Sequence, residues 1–368
     1  MPLPNVRHVA LLLLVGAAAA PAAGHQDVER VADGVYAVIR HDPIAFVNNA
    51  NSLIVVCDSD VVVVDAQFTR AATLEVLGAI RRITPKPVRY VINTHWHDDH
   101  VAGNQVYADS FPGVAFVAQE NTRADLIALG RGNRKATVSA AIPFAARFRR
   151  LMAQGLGGDS TPLVPLERAA LSSVDTIARQ YAAEAPRFRE TLPNVVFRDR
   201  LTLHRGSRTI DVRWFGPANT RGDAVVWIPD ARVVATGDLL VAPVPFAFNS
   251  YVGGWIGALD SVRALRPRVI LPGHGPLMRD DGYLRQVRDM LAAVREGTAA
   301  VAARGGSLAD ARKEVTLDDV RRRVAGDDKW LSVIFRSFFL GPSVDRAYGE
   351  AKSAGGDSSR ASPRPGRH

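Results

Sequence analysis

Three imidazoles and a carboxylate fall within six residues at His95, His97, Asp99 and His100, in the segment THWHDDH (94–100). The whole chain of 368 residues holds only 9 histidines, so this clustering demands a chemical reason. Neutral imidazole nitrogen and carboxylate oxygen are the ligands that zinc takes in catalytic sites. On an extended loop, alternation sends His95 and His97 one way and Asp99 and His100 another, so the segment can serve two neighbouring ions. Two later residues invite the same reading. Asp238, in VVATGDLL (233–240), ends an apolar strand where an exposed carboxylate has no packing reason to sit. His274, in VILPGHGP (269–276), lies in a loop whose flanking glycines let the backbone approach a ligand closely. A metal held by such a set activates water, because bound zinc lowers its pKa to ~7 and polarises a scissile carbonyl.

Something must bring these residues to one place, and the intervening pattern says what. Apolar runs at 34–40 and 51–66 predict strands, the second a hairpin turning at Asp58-Ser59-Asp60. TRAATLEVLGAIRRI (69–83) has helical periodicity, and VRYVINT (88–94) is a further strand that runs directly into the histidine cluster. Loops at the carboxyl ends of strands in layered α/β folds are where ligands bind. Residues 130–194 break the rhythm: they are Ala- and Arg-rich, helical by period, and predict a helical insertion that could act as a lid or as the contact of a homodimer. Strands resume from Val195, with a turn at Arg205-Gly206-Ser207, and end with the run 268–275. The predicted organisation is one domain over 24–280, helices over 281–350, and a disordered Gly/Ser/Pro-rich tail over 351–368.

The first residues have the form of an export signal. One Arg precedes the apolar run VALLLLVGAAAA (9–20), and Ala20-Pro21-Ala22 supplies small residues for cleavage, so 1–23 reads as a signal peptide. The run is too short to span a bilayer comfortably. The expected location is the periplasm or the exterior, with no integral membrane segment once the signal is removed. A lone Cys57 can form no internal disulfide, and its place at the end of an apolar strand reads as a buried, inert thiol. The net charge is +9, but the arginines are dispersed among Asp and Glu along helical segments. No stripe of interleaved aromatic and basic residues suits a nucleic acid, and the expected partner is a small molecule.

Taken together, Asp65 in VVVVDA, THWHDDHVAGN, NTRGDAVVW, ATGDLL and LPGHGP make the chain resemble the metallo-β-lactamase superfamily over about residues 30–280. The resemblance implies an α/β (α+β) fold, a four-layer αββα sandwich with metals along one edge of its two sheets, here with a helical insertion and a C-terminal helical extension. By position, His95 and His97 belong to a first metal site, and Asp99, His100 and His274 to a second. Asp238 bridges the two, and Asp65 steadies the histidine loop from behind. The first site of the family expects a third histidine where this chain has Asn219, which can offer only a weak or water-mediated ligand. The implied cofactor is Zn2+, one ion tightly held and a second more weakly. The implied activity is a secreted hydrolase that uses metal-bound hydroxide to open a β-lactam, lactone, ester or thioester, with Asp99 orienting the nucleophile. Phe246, Phe248 and Tyr251, in the apolar stretch VAPVPFAFNSYVGGW (241–255), are expected to wall the substrate cleft. The alternative is a metal-binding member without turnover, with Asn219 marking lost catalysis.

Overall fold

The computed structural model describes residues 26–45 and 47–358. The signal-peptide reading of 1–23 and the part of the tail reading beyond Ser358 lie outside them.

Among the described residues, twelve strands form two sheets. The first contains β1 (Gln26–Ala32), β2 (Val35–Arg40), β3 (Ser52–Val56), β4 (Val61–Val64), β5 (Val88–Ile92), β6 (Ala115–Gln119) and β7 (Val195–Phe197), in that spatial order. It is antiparallel from β1 to β4 and parallel from β4 to β7. The second contains β8 (Arg200–Arg205), β9 (Arg208–Trp214), β10 (Ala224–Ile228), β11 (Val233–Val241) and β12 (Val269–His274), with only the β11–β12 pair parallel.

The run Val61–Val64 shows how the layers are specified. Side chains alternate across a strand, so Val62 and Val64 enter the core between the sheets with Val226 and Leu271. Val61 and Val63 enter the core beneath α1 (Arg70–Ile83) and its neighbours, with Val76, Leu77 and Tyr107. A strand buried on both faces reads as an unbroken apolar run. Two short helices, α2 (Asp98–Val101) and α3 (Asn104–Ser110), follow β5. On the outer face of the second sheet lie α7 (Val252–Ala264) and α8 (Gly282–Ala303), around the fully buried Trp255. The result is the four-layer αββα sandwich that the resemblance implied.

After α4 (Glu120–Asp125) and one π-helical turn, the segment 130–194 folds chiefly as two helices, α5 (Arg131–Gln154) and α6 (Pro165–Glu184). The C-terminal region consists of α9 (Leu308–Glu314), α10 (Asp318–Ala325), α11 (Lys329–Ile334), a π-helical turn over 335–340, and α12 (Gly341–Ser358). The last helix corrects the expectation of a disordered tail from residue 351. It runs eight residues into that segment, to Ser358. Its Glu350 carboxylate accepts hydrogen bonds from the Val252 and Gly253 amides, satisfying the first turn of α7. Among the described residues, no helix is long and apolar enough to cross a membrane.

Candidate metal centre

Three strand ends and the interior of a fourth strand converge at one edge of the sandwich. Asp65 follows β4, His95 to His100 follow β5, and His274 closes β12. Asp238 departs from the sequence expectation, because its strand does not end there: β11 continues to Val241, and its pairing with β12 slips on either side of Gly237. That irregularity aims the Asp238 carboxylate into the site. Two glycines allow the close packing. A Cβ on Gly237 would stand 2.5 Å from Thr94 Oγ1, and one on Gly273 would stand 2.0 Å from Asp238 Oδ1. The sheets are also joined here through Asn51, whose amide donates to the Gly273 carbonyl at 2.7 Å.

The hydrogen-bond network assigns each imidazole a tautomer. Thr94 Oγ1 donates to Asp65 Oδ2 at 2.8 Å and so accepts from His95 Nδ1 at 3.1 Å. His97 Nε2 donates to Asn249 Oδ1 at 3.2 Å. His100 Nδ1 donates to Asp65 Oδ2 at 2.8 Å, and His274 Nδ1 donates to the Asn49 carbonyl at 3.1 Å, with the Asn48 side-chain amide also 3.1 Å away. In every case the other ring nitrogen points inward. His95 Nε2 and His97 Nδ1 then stand 2.9 Å apart, with Asp238 Oδ2 3.7 Å from the former. At that distance the two nitrogens share either a proton or a metal ion.

The second half is arranged alike. His274 Nε2 is 2.9 Å from Asp99 Oδ2, and His100 Nε2 is 3.2 Å from Asp238 Oδ1. Buried polar atoms are normally paired, yet His100 Nε2, His274 Nε2 and Asp238 Oδ1 are buried without a hydrogen-bond partner. Asp99, His100, Asp238 and His274 form one group able to hold a metal ion, and His95, His97 and Asp238 form another. The donor set fits a pair of divalent ions that share Asp238.

The electrostatics distinguish His95 from His100 and His274. Burial holds the His95 imidazole well below its usual pKa, so it is neutral. Burial also disfavours charge on His100, but Asp99, Asp65 and Asp238 outweigh it and raise that imidazole well above the ordinary value. His274 is raised likewise against its burial, first by Asp238. Asp99 and Asp238, though buried, are pulled down, with His100 the foremost cause in both. A metal must displace protons from these imidazoles, so its binding releases protons.

Asn219 is buried and lines the cleft above the site. Its Nδ2 donates to the Phe246 carbonyl, leaving Oδ1 as the atom it could offer an ion. Phe246 and Phe248 line the cleft with Trp96. Tyr251 does not: it precedes α7, and its ring lies beneath Arg346, whose guanidinium carbon is 5.1 Å from the ring centroid. The turn into the helix rotates that side chain away. Cys57 is buried at the far end of β3, and burial raises its thiol to about 11, which keeps it inert.

Two residues of consequence escaped the sequence reading. Asp98 carries an ion pair to Arg134 at 2.7 Å and accepts from the Tyr181 hydroxyl at 2.8 Å. Phe338, from the C-terminal helices, forms part of the cleft wall. Asp98 had a local signal, as a second carboxylate inside the histidine cluster. Phe338 had none.

The family model described as metallo-beta-lactamase superfamily matches residues 45–274, well over half of the chain. A metallo-beta-lactamase from Pontibacter korlensis superposes with a TM-score of 0.52 at 18% identity, covering 73% of this chain and 99% of that one. The stereoselective inverting sec-alkylsulfatase Pisa1 from Pseudomonas sp. superposes with a TM-score of 0.58 at 17% identity, covering 92% of this chain and 52% of that one. In sequence, a linear primary-alkylsulfatase from Pseudomonas sp. is 22% identical over an alignment of 258 residues that covers 64% of this chain and 44% of the relative. The chain therefore spans about half the length of these two alkylsulfatases.

Proposed function

The chain belongs to the metallo-beta-lactamase superfamily, and on that footing we propose that it is a zinc-dependent hydrolase of an ester-type bond. The observation that carries the proposal is the convergence of four imidazoles with the Asp99 and Asp238 carboxylates, beneath an open cleft. His95, His97 and Asp238 would hold one ion, with Asn219 Oδ1 or water completing the set. Asp99, His100, Asp238 and His274 would hold the other. When bound, such ions supply a water acidic enough to react near neutral pH and polarise the bond to be cut.

The protein's own groups do the rest. Asp99 alone of the carboxylate set reaches the cleft with partial exposure, so it orients the attacking water and holds its proton. Asp65 and the Asn49 carbonyl keep His100 and His274 in the tautomers that face inward. Phe246, Phe248 and Trp96 wall the cleft and limit the water within it.

The bond belongs to the carbonyl class: a β-lactam, lactone, ester or thioester. A sulfate ester is the second reading, favoured by the two alkylsulfatases among the relatives. The zinc-loaded full chain, assayed on nitrocefin, a lactone, aryl esters, lactoylglutathione and an alkyl sulfate, should turn over one of these classes. Stoichiometric zinc with no turnover on any of them would favour a metal-binding role without catalysis. We propose export as well, on the composition of residues 1–23. Mass spectrometry of protein from its native host should find a mature terminus near residues 23–25, and an intact Met1 would overturn this.

A further inference from the structure

Behind the metal cleft lies a second cavity of about 310 Å3, which shares Val47, Phe68, Thr137 and Phe338 with the cleft as a common wall. It is enclosed by α5 and α6 of the insertion and by Trp330 of α11. Its volume falls within the range of a ligand site. Among the described residues, no charged side chain lines it.

Its few polar side chains are already engaged. Tyr181 donates its hydroxyl hydrogen to Asp98 at 2.8 Å, and Trp330 donates its indole N–H to the Ile44 carbonyl at 2.9 Å. What remains is Thr137, on the wall shared with the metal cleft. A ligand group bearing hydroxyls, amides or charge would lose its water there and find no partner. Four of its aromatic rings are paired, Phe68 stacked on Tyr181 with centroids 4.2 Å apart and Phe144 on Phe148 at 5.9 Å. The chamber can therefore reward apolar contact alone. Phe144 is 42% exposed, so the wall it forms reaches the protein surface.

We propose that this chamber binds the unbranched aliphatic chain of an amphiphilic substrate whose cleavable polar head lies over the metal centre. The identity of the head rests on the hydrolase reading above; the binding of the chain does not. The helical insertion is then the element that selects substrates by chain length. Each methylene moved from water into the chamber should tighten binding about fourfold, until the cavity is filled.

The test separates the two ideas. Calorimetric titration of the zinc-loaded full chain with butanoate, hexanoate, octanoate and decanoate reads chain binding without any reaction. Affinity should rise steeply along the series. Ala140→Trp, at a half-buried position in the wall, should cost decanoate more than about tenfold and flatten the series, with zinc stoichiometry retained. Phe144→Ala, which truncates a half-exposed side chain, should move the optimum toward longer chains. An affinity independent of chain length, or a decanoate affinity equal in wild type and Ala140→Trp, overturns the proposal. A steep series in a protein that cleaves no ester would leave the chamber standing and reject only the hydrolase reading.

Discussion

Tyr181 of α6 donates its hydroxyl hydrogen to Asp98 at 2.8 Å, and Asp98 stands between His97 and Asp99 in the chain. The insertion is thus bolted to the loop that carries the metal-facing side chains. Arg134 of α5 completes the bolt at 2.7 Å, with its guanidinium carbon 3.6 Å from the Phe188 ring centroid. Burial raises the Asp98 carboxyl, opposed by Arg134 and Tyr181, so losing a donor loosens a strained anchor. Tyr181→Phe should weaken zinc affinity about tenfold, the lower end for outer-shell changes, with the fold intact by circular dichroism. Titration against a chelating competitor checks it, and an unchanged affinity would show that the anchor does not act on the site.

Asp65 holds His100 Nδ1 and the Thr94 amide at once, each at 2.8 Å. It sits at φ +62°, a conformation that asparagine tolerates as well as aspartate. Asp65→Asn therefore removes the charge with little backbone cost. Zinc affinity should fall about 10–100-fold, while the melting temperature of the metal-free protein changes little. Equal losses in both measurements would make Asp65 a structural residue only.

Asn219 sets the two proposed sites apart. The group with Asp99, His100, Asp238 and His274 should fill first, and the group with His95, His97 and Asp238 only at higher free zinc. Asn219→His should tighten the weaker site by more than about tenfold, since even outer-shell changes reach that size. Zinc titration should resolve two unequal affinities in the wild type. Two equal affinities, or no tightening in the variant, would remove Asn219 from the ligand position.

Asp223 is buried, with Oδ2 accepting from the Thr220 amide at 2.6 Å and Oδ1 without a partner. Burial raises its carboxyl from 3.8 to about 7, against the Thr220 hydrogen bonds and with help from the Asp238 charge. The folded chain thus keeps a proton that the unfolded chain releases above about pH 4. Its contribution is complete below that pH and is lost as pH rises toward 7, by up to about 1.4 kcal/mol per pH unit. Thermal melts in chelator from pH 4 to 8 should show a steeper decline for wild type than for Asp223→Asn. Parallel declines would mean that Asp223 is ionised in the fold.

Much of this was legible because ligand chemistry and strand periodicity are local. His95, His97, Asp99, His100, Asp238 and His274 could be picked out by residue type and by the apolar runs beside them, and the burial of Val61–Val64 on both faces is written in four identical letters. The tertiary structure decided what depends on contacts between distant segments. It chose the tautomers, because the partners of His95 and His274 are Thr94, held by Asp65, and a carbonyl at Asn49. It joined Asp98 to Tyr181 across 83 residues, turned Tyr251 away from the cleft, and enclosed an apolar chamber between the insertion and Phe338. A side chain's type limits the bonds it can make. Which bond it makes depends on the packing that brings a partner within about 3 Å, and a segment's own letters do not specify that packing.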